Sequence, residues 1–139
     1  MVETGHSIKE EGVITRVAEA AIAFQTGVLY APVIQGTAAD QVLAATDSAA
    51  TVIGFVKKPM MADSIALGDT VDVVTEGSII KAYVSETVVV NDPLEVHSTV
   101  TQLNKLALSA YTDITKRCAN VVSPRTGVGV TWIRVKGGY

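Results

Sequence analysis

Short runs rich in Val, Ile and Thr recur along the whole chain: VIT at 13–15, GVLYAPVI at 27–34, TVIGFV at 51–56, TVDVVT at 70–75, SIIKAYV at 78–84, ETVVV at 86–90 and GVTWIRV at 129–135. Each is bounded by Gly, Asp, Asn or Pro, the residues that supply turn geometry. Val71 and Val73, and Ile133 and Val135, show the period-two spacing of a half-buried strand. Helical patterns are weak. The stretch 38–50 has the Ala content of a helix but is interrupted by Thr46, Asp47 and Ser48. It reads as a short strand and a turn, with a single helical turn as the alternative. Glu10 to Ala23 suits a helix by propensity, yet Val13, Ile14 and Val17 suit a strand equally. The pattern predicts an all-β fold: a compact β-barrel or sandwich of short antiparallel strands, residues 12–139 forming one domain behind an extended N-terminal arm at 1–11.

The most specific segment runs from Ala66 to Val84. Gly68-Asp69 is a turn dipeptide, an alternating strand follows, and Glu76-Gly77 marks a second turn before a further strand. This predicts a β-hairpin with a turn leading into it. Glycines at 68 and 77 let the backbone take positive φ at little steric cost. The segment has echoes. When VNDPLEVHSTV is laid over LGDTVDVVTEG, Gly68 falls on Asn91, Asp69 on Asp92, Val71 on Leu94 and Val73 on Val96. Asn is a residue that tolerates the left-handed turn. Gly27 and Gly36 are spaced as Gly68 and Gly77 are. A second, looser echo lays Ala119 on Gly54, Val121 on Val56 and Pro124 on Pro59. These are recurring strand–turn units of a compact β fold, too few and too irregular for a solenoid. Gly27, Gly36, Gly68, Asp69, Gly77, Asn91 and Asp92 are therefore the expected structural turns, with Asp69 and Asp92 bonding backbone amides.

Composition sharpens the class. With 139 residues, 48% hydrophobic and 18% charged, the chain carries enough apolar surface for a packed core. A formal net charge of −3 draws nothing toward nucleic acid. All 14 acidic residues and six of the eleven bases lie up to Asp113, whereas Lys116, Arg117, Arg125, Arg134 and Lys136 follow it. Two readings fit: a basic edge that docks on an acidic partner, or scattered solvated charges. The N-terminus lacks the apolar core of a signal peptide, and no stretch approaches the length of a membrane-spanning helix. The single cysteine, Cys118, is expected as a buried, inert thiol.

Candidate chemistry is sparse. His6 and His97 stand in no metal-ligand spacing, and the one Gly-x-Gly, at Gly127 and Gly129, opens no helix. Asp69/Asp72 and Asp92/Glu95 are three apart, which on a strand puts them on opposite faces rather than around one substrate. No Ser stands on a nucleophile elbow. Trp132 and Arg134 share a strand face; core or interface packing of the Trp is favoured over stacking on a base. No enzymatic activity, cofactor or metal is expected, and no nucleic-acid or membrane partner.

Gly27-Val28-Leu29, Val52 to Val56, Ala66 to Val73, Gly77 and the Asn91-Asp92-Pro93 turn, taken in order, resemble the capsid cement and head decoration proteins of tailed phages, the lambda-type decoration group. Asn91 departs from the pattern, which expects Gly before Asp, and so does the long charged N-terminal segment. The resemblance implies a virion protein, made in the host cytoplasm, on the outer capsid surface. It would clamp neighbouring subunits of the major capsid protein and associate with itself as a homotrimer. Val2, Ile8 and Lys9 in the arm, with Trp132 and Arg134, are the expected contacts, the arm by adding a strand to a capsid subunit's sheet edge. Alternatives are another phage part, such as a tail or baseplate subunit, or a small β-barrel ligand-binding module.

Overall fold

The structure, a computed structural model, describes residues 7–9, 12–46, 51–96, 102–106 and 117–136. It is all β, with no helix among the described residues. The chain closes not one barrel but two in succession. The first contains β2 (Ile14–Ala18), β4 (Tyr30–Gln35), β5 (Gln41–Ala44), β6 (Val52–Lys57) and β8 (Thr70–Val74), closed in the order β2-β5-β4-β6-β8. The second contains β9 (Ile79–Val84), β10 (Pro93–Val96), β11 (Gln102–Lys105), β12 (Ala119–Val121) and β13 (Gly129–Val135). Its strands run β9-β11-β10-β12-β13, and the β9–β13 pairing closes the ring. The remaining strands are accessory. β3 (Ile22–Ala23) pairs with β7 (Ser64–Ile65), and β1 (Ser7–Lys9) adds to the edge of β9.

The two barrels repeat one design down to the register. Counted within each barrel, the first and third strands are parallel (β2–β5, β9–β11) and the other pairings are antiparallel. Ala18 faces Val42 as Val84 faces Leu103. Gln35 faces Val42 as Val96 faces Leu103. Pro32 faces Phe55 as Pro93 faces Asn120, and Phe55 faces Val74 as Asn120 faces Arg134. Ile14 faces Val73 as Ile80 faces Ile133. The looser sequence echo marks this duplication, because Gly54 and Ala119, and Val56 and Val121, are equivalent positions of the fourth strand. The echo of Gly68-Asp69 in Asn91-Asp92 has another origin: it superposes one turn type used at two different places.

Alternation fills each barrel as the pleat requires. Ile80, Ala82 and Val84 of β9 are buried with Leu94, Leu103, Ala119, Val121, Ile133 and Val135. Ala18, Val33, Val42, Val56, Val71 and Val73 are buried in the first barrel. The first barrel also buries part of its outer face. Tyr30, Val52, Phe55 and Val74 belong to the cluster of the second barrel's core, so the two share an apolar joint. In return Tyr83 of β9 packs against the first barrel's cluster.

Three expectations are corrected. The Ala66–Val84 segment is not a hairpin: β8 pairs with β2 and β6, and β9 with β1, β11 and β13. The Glu76-Gly77 turn is the link between barrels, and Gly77 (φ 93) bonds through its amide to the Val135 carbonyl rather than back to β8. Alternation and a turn predict reversal, but closing each barrel satisfies more ladder bonds than a two-strand ribbon. Nor are the strands all antiparallel: in each barrel the third strand lies between the first and the second, antiparallel to the second and parallel to the first. The run 86–90, finally, is no strand but part of the connection from β9 to β10, with one isolated bridge from Val88 to Arg125; the arm's Ser7–Lys9 backbone, extended as expected, pairs with Ile79 and Ile80.

Thr75–Ser78 joins the lower ends of the barrels, where Thr75 Oγ1 also donates to the Gly12 carbonyl at 2.7 Å. The upper ends meet where the Tyr83 ring lies against Gly27 and Gln102 Nε2 donates to Gln25 Oε1 at 2.8 Å. The barrels therefore stand side by side with the same ends up. The first and fourth strands of each finish at the upper end, and the second and fifth begin there.

Candidate interaction surface

Trp132 is not a core residue. Along β13 the even positions point outward, so Trp132 and Arg134 share the outer face of the second barrel with Val130. Trp132 lies opposite Lys81 of β9, whose ammonium sits 5.1 Å from the indole centroid. A cation over an indole face contributes about 0.5–1 kcal/mol at an exposed site. The ring is thus partly buried, with its own cross-strand neighbour over one face.

The basic C-terminal segment is partly gathered and partly diverted. Arg117, Arg134 and Lys136 line a hollow of about 290 Å³ with Glu76, Gly77, Asn120 and Val135. Among the described residues, no acid ion-pairs with these three cations. Arg125 is turned inward instead. Its guanidinium donates to the carbonyls of Val128 (3.1 Å) and Val130 (3.3 Å), across Gly129, where any side chain would collide with it. Lys116 lies outside the described residues. Duplication explains the character of this face. Its Asn120 and Arg134 stand where the first barrel has Phe55 and Val74, buried in the joint. The same strand positions are apolar where a barrel covers them and polar where none does.

Of the expected contacts, Val2 lies outside the described residues, whereas Ile8 and Lys9 lie on β1 at the β9 edge, far along the chain from Trp132 and Arg134 yet on strands flanking the same β9. His6 and His97 lie outside the described residues. Among the described residues no three His, Cys, Asp or Glu side chains converge to hold a metal ion. Cys118 is buried beside β12, its Sγ 3.5 Å from the Leu94 carbonyl. Burial pushes its thiol up to about 12; a backbone hydrogen bond lowers it a little and the Glu95 charge raises it.

The turns differ in what they need. Gly27, Gly68, Gly77 and Asn91 take φ of 86, 88, 93 and 71°. Gly36 does not; there a Cβ would press on Glu19 and on Gln41. The 66–69 and 89–92 turns are one device. Asp69 Oδ2 accepts from the Ala66 amide (3.2 Å) and the Asp69 amide donates to the Ala66 carbonyl (3.1 Å). Asp92 Oδ2 accepts from the Val89 amide (2.9 Å) and the Asp92 amide donates to the Val89 carbonyl (3.1 Å). Each reciprocal clasp holds an apolar residue outward at its tip, Leu67 in one and Val90 in the other. Sequence reasoning missed these tips, although a legible signal existed: apolar residues inside turns, as in Pro59-Met60-Met61 and Val89-Val90-Asn91.

Beside the Met60 loop, β6 ends and leaves part of β8 without a neighbour on that edge. A groove of about 690 Å³ opens there, lined by Lys57, Lys58, Pro59, Met60, Asp69, Thr70, Val71 and Asp72. Desolvation lowers the pKa of Lys57, and Lys58 pairs with exposed Asp63 at 3.5 Å, a contact worth little in water.

No family model and no curated protein matches the chain. Among solved structures, the chain is similar to the head fiber gp8.5 N base of bacteriophage phi29, with a TM-score of 0.53 and 12% identity. The match covers 91% of this chain and 96% of that one, so the likeness is one of fold and takes in both barrels.

Proposed function

We propose that this chain is a structural protein of a tailed-phage virion that binds the outer capsid surface and, as a homotrimer, holds neighbouring major capsid subunits together. One observation carries the reading: the tandem-barrel fold is shared, over nine-tenths of the chain, with a protein described as part of a phage head fiber. The order of strand and turn motifs resembling the decoration proteins supports it from the sequence side. The physical logic is multivalency. Three copies of a modest interface, fixed by symmetry, hold far more tightly than one. The arm contributes a further contact through Ile8 and Lys9, released from β9 or extended beyond it.

The test is addition of the purified chain to phage shells assembled without it. Stoichiometric binding and a higher temperature of shell rupture are expected; no binding refutes the proposal. A second reading follows from the same likeness: the chain is the base of a longer projection anchored on the head. Particle imaging separates the two, because a base carries density rising away from the shell and a clamp does not.

A further inference from the structure

The joint inside the chain has a direction. Tyr30, Phe55 and Val74, outward side chains of β4, β6 and β8, are buried in it, where β4 lies against β9, the first strand of the next barrel. One barrel thus lends its second, fourth and fifth strands, and the other receives them on its first. Duplication leaves each half of this relation unused once. On the second barrel the corresponding strands present Pro93, Asn120 and Arg134, with no barrel of this chain upon them and Arg134 exposed. On the first barrel the receiving side is β2. Val13, just before it, and Thr15 within it are exposed, and so is Asp72 of β8, which lies opposite Thr15.

We infer, resting on the homotrimer of the reading above, that these two surfaces bind each other between copies. Arg134 of one copy reaches Asp72 of the next, and three copies of two barrels each close a ring of six. The occupant of each surface is therefore a second copy of this chain. A chain with one lending face and one receiving strand left over can repeat its own joint in a heterologous contact, which forms a ring where the rotation closes. The chemistry of the two halves also changes together. Arg134 stands where Val74 is buried, and by the same ladder Thr15 and Asp72 stand where the second barrel has Lys81 and Trp132. A base on the lending face thus answers an acid on the receiving one. Around Arg134, the bases Arg117 and Lys136 join it against Glu76 and Glu95. Around β2, Asp40, Asp69 and Asp72 stand against Arg16. The polarity fits the order of events. A joint within one chain is covered as the chain folds, whereas surfaces that join separate copies stay in water until they meet and are accordingly more polar. Opposite charges then fix partner and register.

Sedimentation equilibrium of the full-length chain at low salt measures association, and thermal melting checks the fold of each variant. The wild type should form trimers. Arg134→Glu and Asp72→Arg should each weaken association about tenfold or more, because like charges then face each other, and the double variant Arg134→Glu/Asp72→Arg should recover to within about threefold of wild type. A trimeric wild type that neither single substitution weakens overturns the inference and leaves the homotrimer standing. Weakening without recovery in the double variant overturns the Arg134–Asp72 contact. A wild type that stays monomeric at high concentration overturns the inference too, and binding to shells assembled without the chain then decides the capsid reading by itself. A cross-link gives a readout independent of charge. In Asp72→Cys/Arg134→Cys a short bis-maleimide should yield covalent dimers and trimers, Cys118 being buried out of its reach, and either cysteine alone should yield no trimer. Monomers only would overturn the contact, and a ladder running beyond trimers would overturn closure at three.

Discussion

Exchanging the residues at one pair of equivalent positions, Phe55 and Asn120, separates what a barrel needs from what the joint needs. Both are outward positions of the fourth strand, facing the second strand's proline (Pro32 or Pro93) and the fifth strand's Val74 or Arg134. Phe55 is fully buried in the joint, and Asn120 lies on the open outer face, its Nδ2 3.3 Å from the Asn91 carbonyl. Phe55→Asn removes about 1.5–3 kcal/mol of apolar burial and leaves an amide without partners, which costs about 1–3 kcal/mol more. A loss of about 3–6 kcal/mol follows, a large share of the stability of a small protein. Asn120→Phe exchanges one exposed hydrogen bond for an exposed ring, and should change stability by no more than about 1 kcal/mol. Urea unfolding followed by circular dichroism and by Trp132 fluorescence measures both, the indole reporting the second barrel. In the wild type the two probes should coincide; in Phe55→Asn they should separate as the barrels uncouple. The reasoning is refuted if Phe55→Asn costs less than about 1 kcal/mol, or if Asn120→Phe costs as much as Phe55→Asn.

Three further outcomes are expected. Gly54→Ala drives a methyl into the Val74 carbonyl, backbone that cannot step aside, and into the buried Val73 side chain, and should cost about 1–3 kcal/mol in a thermal melt. Asn91→Val should destabilise by about 1–2 kcal/mol because a β-branched residue must hold φ of 71°, whereas Asn91→Gly should leave the denaturant midpoint nearly unchanged. The Cys118 thiol sits near 9.0 when unfolded and is pushed up to about 12 by burial, so between those values the unfolded state gives up a proton that the folded state keeps. Stability should therefore be unaffected by this group below about pH 9 and fall above it, by at most about 1.4 kcal/mol per pH unit. Cys118→Ala should remove that part of the slope; an identical alkaline profile would show that the thiol is not buried.

Much of the fold was legible residue by residue. Strand positions such as Val71 and Val73 or Ile133 and Val135 announce themselves by alternation, and the turns at Gly68-Asp69 and Asn91-Asp92 by the few residues that tolerate positive φ. The duplication left only a faint trace, the match of Gly54 to Ala119 and of Val56 to Val121, because equivalent outward positions answer to different surroundings. Phe55 and Asn120, or Val74 and Arg134, have nothing in common as residues. They share a place in a ladder, and only the ladder shows it.

Pleat and turn chemistry act within a few residues, so the all-β class, most of the strands and the turns that bound them are legible in the sequence, whereas the apolar run 86–90 lies in a connection rather than a strand. Tertiary structure alone decided that β8 and β9 part company into separate barrels, that Trp132 faces outward under Lys81, and that Phe55 is covered where Asn120 is not. Those outcomes depend on which edges pair and which faces cover each other. Such choices join residues far apart along the chain, and no local pattern encodes them.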